Sequence, residues 1–468
     1  MPAVQFAINS YQSRALPLSA QRCVNYFAEQ APPDAKSQVV VYNAPGTKAF
    51  ASGLAGALRG AKLMGGVLYV VAGNELYSIN AAGTATELGT INTSAGNVSM
   101  AVNRASPQEL CFVDGIEGWI YDTSGGLVQI TDGDFLAADT VTFQDGYFIF
   151  NEAGTSRFFI SGIDDGKTYV ATDTADAEGD PDSVVAVFSN HRELWVFGQE
   201  TTEIFFNSGN LDFPFERISG AFVERGCAAP FSVAADDNTL FWLGDDFVVY
   251  RANGYTPQRV STHAIEEDIR NFSDKSDAIA FFATISGHKF YHLTFPTGRK
   301  SYVYDISTGM WHERESFGQR HWRATVYAFA YGKHLVGDTF VGRVGELDMD
   351  TFTEYGAVMQ GILTGPAVHN DRKRVFHRRF ELDIESGVGD TTGAASDPQL
   401  WMDYSDDGGR TFSARKPTRA MGKIGAYQQR LRWNQLGQSR NRVYRVTVAD
   451  AIKRSIIAAH LELAPGSN

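Results

Sequence analysis

The feature that most constrains the fold is a short apolar strand motif that recurs along most of the chain. Seven copies are present, and successive copies start 42, 37, 47, 46, 50 and 44 residues apart, about 44 on average. The copies are VLYVV around Leu68, LCFV from Leu110, YFIF from Tyr147, LWVF from Leu194, LFWL from Leu240, FYHL from Phe290 and HLVG from His334. A period of roughly 40–50 residues is typical of the four-stranded blades of a β-propeller.

Each repeat also contains the other strands that such a blade needs. A second apolar strand follows the motif after a short Gly- or Asn-containing link, as in LYSI from Leu76 and WIYD from Trp119, which predicts a hairpin. A more polar strand, such as FERI from Phe215 or FTEY from Phe352, comes next and suits an outer edge. A strand of small and apolar residues, such as VSMAV from Val98, precedes the motif and suits the crowded inner position. Blades of this kind bury their faces only by packing against one another.

We therefore predict an all-β chain in three parts. Residues 1–50, with the Pro-containing stretch APPDAKSQ, form an extended N-terminal arm. Residues 51–356 form a β-propeller, for which seven blades are favoured and six remain open if one unit is an insertion. Residues 357–468, where the repeat has stopped, form a β-sandwich or barrel. A short helix is predicted at Ala264–Phe272, and a pair of β-sandwiches is the alternative architecture.

The composition fits a large globular β protein. Of 468 residues, 43% are apolar and 20% charged, which argues against disorder. The 46 glycines and 12% aromatic residues favour strands joined by tight turns. Three cysteines, Cys23, Cys111 and Cys227, do not predict a disulfide framework, so we expect folding in a reducing cytoplasm. We expect neither a secretion signal nor a membrane span.

Charge is distributed unevenly along the chain. The net charge of −13 argues against a general nucleic-acid binder. Residues 357–468 carry 17 basic and 11 acidic side chains, a net charge of +6, whereas the preceding residues carry −19. Residues 410–454 hold twelve basic side chains and a single acid, Asp450. Such asymmetry indicates an electrostatic partner, with a solvated surface as the alternative.

No motif predicts catalysis, a metal or a cofactor. The ten histidines lack zinc-type spacing, and no nucleophile elbow occurs. Carboxylates are abundant, but no spacing marks out the pair that a glycosidase needs. SGIDDGKT (161–168) is one residue short of a phosphate-binding loop and is expected to form a turn.

SDDGGRTF (405–412) fits the pattern S-x-D-x-G-x-T-F, the Asp-box turn of sialidase-like propellers. In such a turn the Asp accepts backbone N–H groups and glycine permits positive φ. We expect a structural rather than a catalytic role. The residues that define this turn are Ser405, Asp407, Gly409, Thr411 and Phe412.

Three further segments carry a family resemblance. They are NSYQSRALPLSAQRCVNYFAE (9–29), YNAPGT (42–47) and RLRWNQLGQSRNRVYRVTVAD (430–450). These segments resemble the packaged-DNA stabilisation proteins of short-tailed bacteriophages, also called tail accessory factors, tail hubs or nozzles. The resemblance implies a non-enzymatic structural protein of the virion tail, folded in the host cytoplasm. It further implies a hexameric ring below the portal and its adaptor ring, which extends the channel for double-stranded DNA without sequence-specific binding, retains packaged DNA, and anchors a needle or plug and tailspikes or fibres.

Resemblance and charge density together single out a candidate interface in the third segment. We expect the basic C-terminal part to dock on an acidic adaptor surface, with contact to the DNA backbone as the alternative. A propeller-type tail adhesin that binds glycan or host protein, and a glycan-cleaving, sialidase-like enzyme, are the other hypotheses. The candidate interface residues are Arg430, Arg432, Trp433, Arg440, Arg442 and Arg445.

Overall fold

The structure, a computed structural model, describes residues 3–4, 6–177, 179, 182–371 and 373–466. Its regular structure is almost wholly β-strand, which confirms the predicted fold class. The N-terminal segment contains the strands β1 (Ala3–Val4), β2 (Tyr11–Gln12), β3 (Ala20–Val24), β4 (Tyr26–Gln30), β5 (Val39–Asn43) and β6 (Gly46–Ser52).

Four antiparallel four-stranded sheets follow in chain order. Sheet 1 contains β7 (Leu58–Met64), β8 (Val67–Ala72), β9 (Glu75–Ile79) and β10 (Ala85–Thr90). Sheet 2 contains β11 (Ser99–Val102), β12 (Glu109–Val113), β13 (Gly118–Asp122) and β14 (Gly126–Gln129). Sheet 3 contains β15 (Val141–Gln144), β16 (Tyr147–Asn151), β17 (Arg157–Ile160) and β18 (Thr174–Asp176). Sheet 4 contains β19 (Val184–Asn190), β20 (Glu193–Gly198), β21 (Thr202–Asn207) and β22 (Phe215–Val223).

Three more sheets complete the series among the described residues. A 3₁₀ turn at Pro230–Ser232 precedes sheet 5, which contains β23 (Ala234–Asp236), β24 (Thr239–Leu243), β25 (Val249–Asn253) and β26 (Thr256–Arg259). The helix α1 (His263–Arg270), close to the predicted position, leads to sheet 6, with β27 (Ile279–Ile285), β28 (His288–Phe295), β29 (Lys300–Asp305) and β30 (Met310–Glu313). Sheet 7 contains β31 (Ala324–Ala330), β32 (Lys333–Asp338) and β33 (Arg343–Asp348).

The recurring apolar motif forms the second strand of every sheet, as predicted. These strands are buried on both faces because each sheet packs between two others, and residues such as Phe148 and Trp242 are fully buried. The inner strands contact one another in the order β7, β11, β15 and β19, and then β23, β27 and β31. The 3₁₀ turn at Pro230–Ser232 bridges β19 and β27, and β31 contacts β7. The ring of sheets is therefore closed, and the propeller prediction is confirmed.

The fourth strand of sheet 7 comes from the other end of the chain. β6 pairs antiparallel with β33, with Leu347 opposite Thr47 and Asp348 opposite Gly46. The prediction that FTEY (352–355) supplies this strand is wrong, because Glu354 lies one position further out and pairs in parallel with Thr47. Pairing the two ends of the propeller sequence leaves no open edge at the point of closure.

The C-terminal part is a two-layered sandwich. After β34 (Thr353–Glu354) and β35 (Ala357–Val358), its strands are β36 (Gly361–His369), β37 (Val375–Ile384), β38 (Gln399–Ser405), β39 (Thr418–Ala420), β40 (Leu431–Asn434), β41 (Gln438–Ser439), β42 (Asn441–Val448) and β43 (Ser455–Pro465), with a 3₁₀ turn at Ala394–Ser396. One layer has the order β4-β5-β43-β37-β40, and the other β3-β36-β42-β38-β39. Phe380, Tyr444 and Trp433 are buried between the layers.

The N-terminal segment joins the two domains. β3 lies between β30 of sheet 6 and β36 of the sandwich, so that one ten-stranded sheet runs through both. The described residues predicted as an extended arm are therefore mostly paired strands, because the open edges of β30, β36 and β33 offer backbone partners. The division of the chain at residues 50 and 357 stays a prediction.

Ion pairs reinforce this junction. Arg22 on β3 pairs with Glu313 at 2.5 Å, and Lys300 pairs with the same carboxylate at 2.6 Å. Burial alone would raise the pKa of Glu313, but the two cations outweigh it and lower the pKa to about 2. The Asn25 side-chain amide donates to the carbonyl oxygens of Glu315 and Gln360, at 2.9 and 2.8 Å. Backbone pairing and buried charge thus fix the sandwich against sheet 6.

Candidate docking surface of the sandwich domain

The positive charge of the sandwich is concentrated at one end. Backbone pairing of His369 with Asn441 and of Ser405 with Val443 brings three connections together. These connections are residues 369–375, 406–417 and 434–442, and we call this region the basic end. The opposite end, formed by residues 385–398, 421–430 and 449–454, carries equal numbers of acidic and basic residues.

Six exposed basic side chains lie at or next to the basic end with neither an ion pair nor a side-chain hydrogen bond among the described residues. They are Lys373, Arg374, Arg378, Arg415, Lys416 and Arg440. Two apolar side chains, Phe376 and Leu463, are exposed beside them on neighbouring strands, β37 and β43. The basic end is therefore a mixed surface of free cations and apolar groups.

The Asp-box sequence forms a tight turn within the basic end. The Asp407 carboxylate accepts hydrogen bonds from the backbone N–H groups of Arg410 and Thr411, each at 2.9 Å. Asp407 also accepts hydrogen bonds from the hydroxyl groups of Ser405 and Thr411. Together with the two backbone N–H groups, these bonds lower the pKa of Asp407. Gly408 has φ of 79° and packs against Pro17, where a Cβ would lie 2.7 Å from the Pro17 Cα. The turn thus rests on the N-terminal segment, and its contacts are structural.

Two of the predicted interface arginines brace the sandwich from inside. Arg442 is almost fully buried, donates to both carboxylate oxygens of Asp406 at 2.6 and 2.7 Å, and lies 3.8 Å over the Tyr404 ring. Arg445 binds Asp403 in the same two-pronged way, at 2.9 and 2.6 Å. Arg445 also lies 3.7 Å over the ring of Phe412, the last residue of the Asp-box turn.

The remaining predicted residues divide between core and surface. Trp433 is buried, and its indole N–H donates to the Pro417 carbonyl oxygen at 3.0 Å. Arg430 and Arg432 both pair with Glu381 on the adjacent strand, at 2.6 and 3.2 Å. Arg440 alone of the six is exposed at the basic end and without a charged partner among the described residues.

Sequence reasoning missed most of the free cations at the basic end. Lys373, Arg374 and Arg378 lie in the run DRKRVFHRR (371–379), whose charge density was the available signal. Behind this surface, burial and then the charge of Arg442 lower the pKa of His377 to about 4. The neutral His377 ring bonds to the Tyr444 hydroxyl at 2.7 Å. Both groups belong to the sandwich wall rather than to its exposed surface.

Other features of the described residues point to structure. Cys23, Cys111 and Cys227 are buried and not disulfide-bonded, and burial raises the pKa of each thiol. Gly162–Thr168 forms a turn that leads from β17 toward β18, as predicted. The described residues hold no group of three or more His, Cys, Asp or Glu side chains able to bind a metal. The α-helix found there has eight residues, and no helix of that part could cross a lipid bilayer.

Comparison with solved structures finds matches of low similarity. Virginiamycin B lyase from Staphylococcus aureus is 13% identical, with a TM-score of 0.44, over 62% of this chain and 94% of that chain. BamB from Moraxella catarrhalis is 9% identical, with a TM-score of 0.40, over 70% of this chain and 98% of that chain. A search of curated proteins finds no match.

Comparison with protein families identifies the chain. The model described as "Bacteriophage P22 Gp10, beta-propeller" matches residues 10–352. The model described as "Bacteriophage P22 Gp10, beta-sandwich" matches residues 361–464. The two matches follow the order and the architecture of the two domains described above. The chain therefore belongs to the bacteriophage P22 Gp10 family, whose members are structural proteins of the phage tail that stabilise packaged DNA.

Proposed function

We propose that the protein is a nozzle or hub subunit that assembles as a ring, a hexamer, below the portal and its adaptor ring. In this position it extends the DNA channel, retains packaged DNA, and anchors the needle and the tail fibres or spikes, without enzymatic activity. The observation that carries the proposal is the basic end, where free cations meet exposed apolar groups in a chain that is otherwise acidic. We propose that this end docks on an acidic face of the adaptor.

The composition of the basic end favours a protein partner over the DNA backbone. Protein interfaces are enriched in arginine and aromatic residues, whereas binding to phosphates is mainly electrostatic and needs no apolar contact. Phe376, 44% exposed, lies two residues from both Arg374 and Arg378. The arginine guanidinium group also forms bidentate hydrogen bonds with carboxylates, which suits an acidic protein surface.

The propeller axis is too narrow to be the path of DNA. Its cavity has a volume of about 460 Å³ and is lined by side chains of the inner strands. This volume is far smaller than that of one turn of a DNA duplex, whose major groove alone is about 12 Å wide and about 8.5 Å deep. In the proposed ring, DNA therefore passes between copies of the chain. The acidic propellers would repel the phosphates, which allows DNA to slide.

The test is binding of the purified chain to the portal–adaptor complex of the same phage. We expect Arg374→Glu combined with Arg378→Glu to weaken binding roughly tenfold or more. Lys423 is exposed at the opposite end of the sandwich and has no ion pair among the residues that the structure describes, so Lys423→Glu is the matched control and should bind as the wild type does. Negative-stain images of the wild-type complex should show a closed ring below the adaptor.

Two outcomes would contradict the proposal. Wild-type affinity of the double variant for the adaptor would remove the basic end from the interface. Loss of affinity for duplex DNA together with unchanged adaptor binding would favour the DNA-backbone alternative. Circular dichroism of each variant checks that the sandwich is folded, because none of the three substituted side chains is buried.

A further inference from the structure

The lumen of the propeller has the size and lining of a small-molecule site. Its volume is about 460 Å³, and its wall comes from the inner strands and from the Pro230–Ser232 turn. Aromatic side chains, among them Phe143, Phe188 and Tyr327, line it together with aliphatic and hydroxyl side chains. Pockets for small ligands typically measure about 300–1,000 Å³ and combine apolar walls with a few polar groups.

Only two charged residues, Arg59 and Lys62, belong to the described lining. Every N–H group of the Arg59 guanidinium is occupied within the chain. Its acceptors, at 2.7–3.0 Å, are the carbonyl oxygens of Gly73, Thr93, Ala95 and Gly96 and the hydroxyl of Thr93. Arg59 therefore has no donor left for a ligand, and its role is to hold the 91–98 connection against sheet 1.

Lys62 is in the opposite situation. Its side chain opens into the lumen, and it has neither a hydrogen bond nor an ion pair among the described residues. The Lys62 side chain is exposed to the solvent of the lumen, and the surrounding walls desolvate its ammonium group in part, which lowers the pKa of Lys62. No Asp or Glu of the described chain lines the cavity. Opposite charges attract one another more strongly inside a confined, partly apolar cavity than in open water, so the Lys62 ammonium group favours an anion in the lumen.

We propose that the lumen binds a small organic anion, a carboxylate on a flat apolar body. The carboxylate pairs with the Lys62 ammonium, and the apolar body packs against the rings of Phe143, Phe188 and Tyr327. The cavity excludes nucleic acid by its size, and its aromatic side chains favour an anion with an apolar body over a purely polar anion. This site is independent of the ring and of adaptor docking, and is therefore additional to the proposed function.

The test uses 2-naphthoate as the probe and isothermal titration of the full chain. We expect binding that Lys62→Met weakens roughly tenfold or more and that Lys62→Arg largely preserves, since the lost contact is a charge-assisted hydrogen bond. Lys423→Met, on the sandwich surface, is the matched control and should bind as the wild type does. The neutral analogue 2-naphthylmethanol should bind the wild type and Lys62→Met equally weakly.

Absence of 2-naphthoate binding to the wild type would overturn the proposal. Equal binding to the wild type and to Lys62→Met would also overturn it, because the charge would then contribute nothing. Because the Lys62 side chain is exposed and makes neither a hydrogen bond nor an ion pair among the described residues, Lys62→Met should retain the wild-type circular dichroism and Tm. These two measurements would reveal a folding defect in Lys62→Met. In that case Lys62→Arg, which keeps the positive charge, shows whether the charge itself is needed for binding.

Discussion

Replacing Arg442 by methionine tests whether the arginines of the candidate interface brace the sandwich or meet a partner. The Arg442 side chain is 2% exposed and makes two hydrogen bonds to Asp406, whereas the Asp406 side chain is 43% exposed. Hydrogen bonds to charged groups contribute about 1.5–3 kcal/mol. The exposed Asp406 regains water when the guanidinium is removed, which keeps the loss below the roughly 3–5 kcal/mol of a broken, fully buried pair. We expect a loss of about 2 kcal/mol in the stability of the sandwich.

Hydrogen exchange of the β42 amide groups is a suitable assay, because it reports local unfolding in a chain of two domains. A double-mutant cycle with Asp406→Asn should give a coupling free energy of about 1–2 kcal/mol. Arg440→Met, two residues away and exposed, is the matched control and should change stability by less than about 0.5 kcal/mol. Unchanged exchange in Arg442→Met, together with lost adaptor binding, would refute the bracing role.

Three further predictions concern the propeller and its closure. Burial lowers the pKa of His312 to about 4 and that of His292 well below 6.5, so the unfolded chain binds more protons. The contribution of these histidines to the free energy of unfolding should be fully present above pH about 6.5. Between pH about 6.5 and about 4 it should fall by up to ~1.4 kcal/mol per pH unit for each histidine. Urea unfolding midpoints at pH 7.5 and 5.0 check this, and His312→Gln should make stability less dependent on pH. Gly345→Ala would place a Cβ 2.3 Å from Thr47 Cγ2 and should lower the free energy of unfolding by about 1–3 kcal/mol, measured as a lower Tm. Gly133→Ala is the control, because its Cβ would meet open space, and it should leave Tm unchanged. Deleting residues 1–52 should yield aggregates in size-exclusion chromatography, because the edges of β33 and β36 are then open, and a soluble, cooperatively folded product would contradict this.

The local elements of the propeller could be predicted from sequence because their signal is local. A strand buried on both faces is a short continuous apolar run, and LFWL (240–243) is such a run between turn residues. The same reasoning assigned FTEY (352–355) to the last outer strand, since it has the right polarity at the right distance. The actual strand, β6, lies about 300 residues earlier in the chain, and no spacing rule reaches so far.

The candidate interface shows the same limit for side chains. Its arginine content was visible, but the partners of Arg442 and Arg445 are carboxylates on a different strand and its connection. Without those partners, a dense run of arginines is expected at the surface, because an unpaired charge is too costly to bury. The structure instead places both guanidinium groups on aromatic rings, and the exposed cations come half from the 371–379 run and half from Arg415, Lys416 and Arg440.

The sequence by itself determined that the chain is a ring of β-sheets followed by a basic β domain, because periodicity, turn residues and charge are properties of neighbouring positions. Tertiary structure alone decided which strand closes the ring, how the N-terminal segment ties the two domains into one sheet, and which charges stay free. These outcomes depend on strand edges and carboxylates that are distant in sequence and meet only in the folded chain. An unpaired strand edge needs backbone hydrogen-bond partners, and a buried charge needs an opposite charge, and only the fold determines which groups supply them.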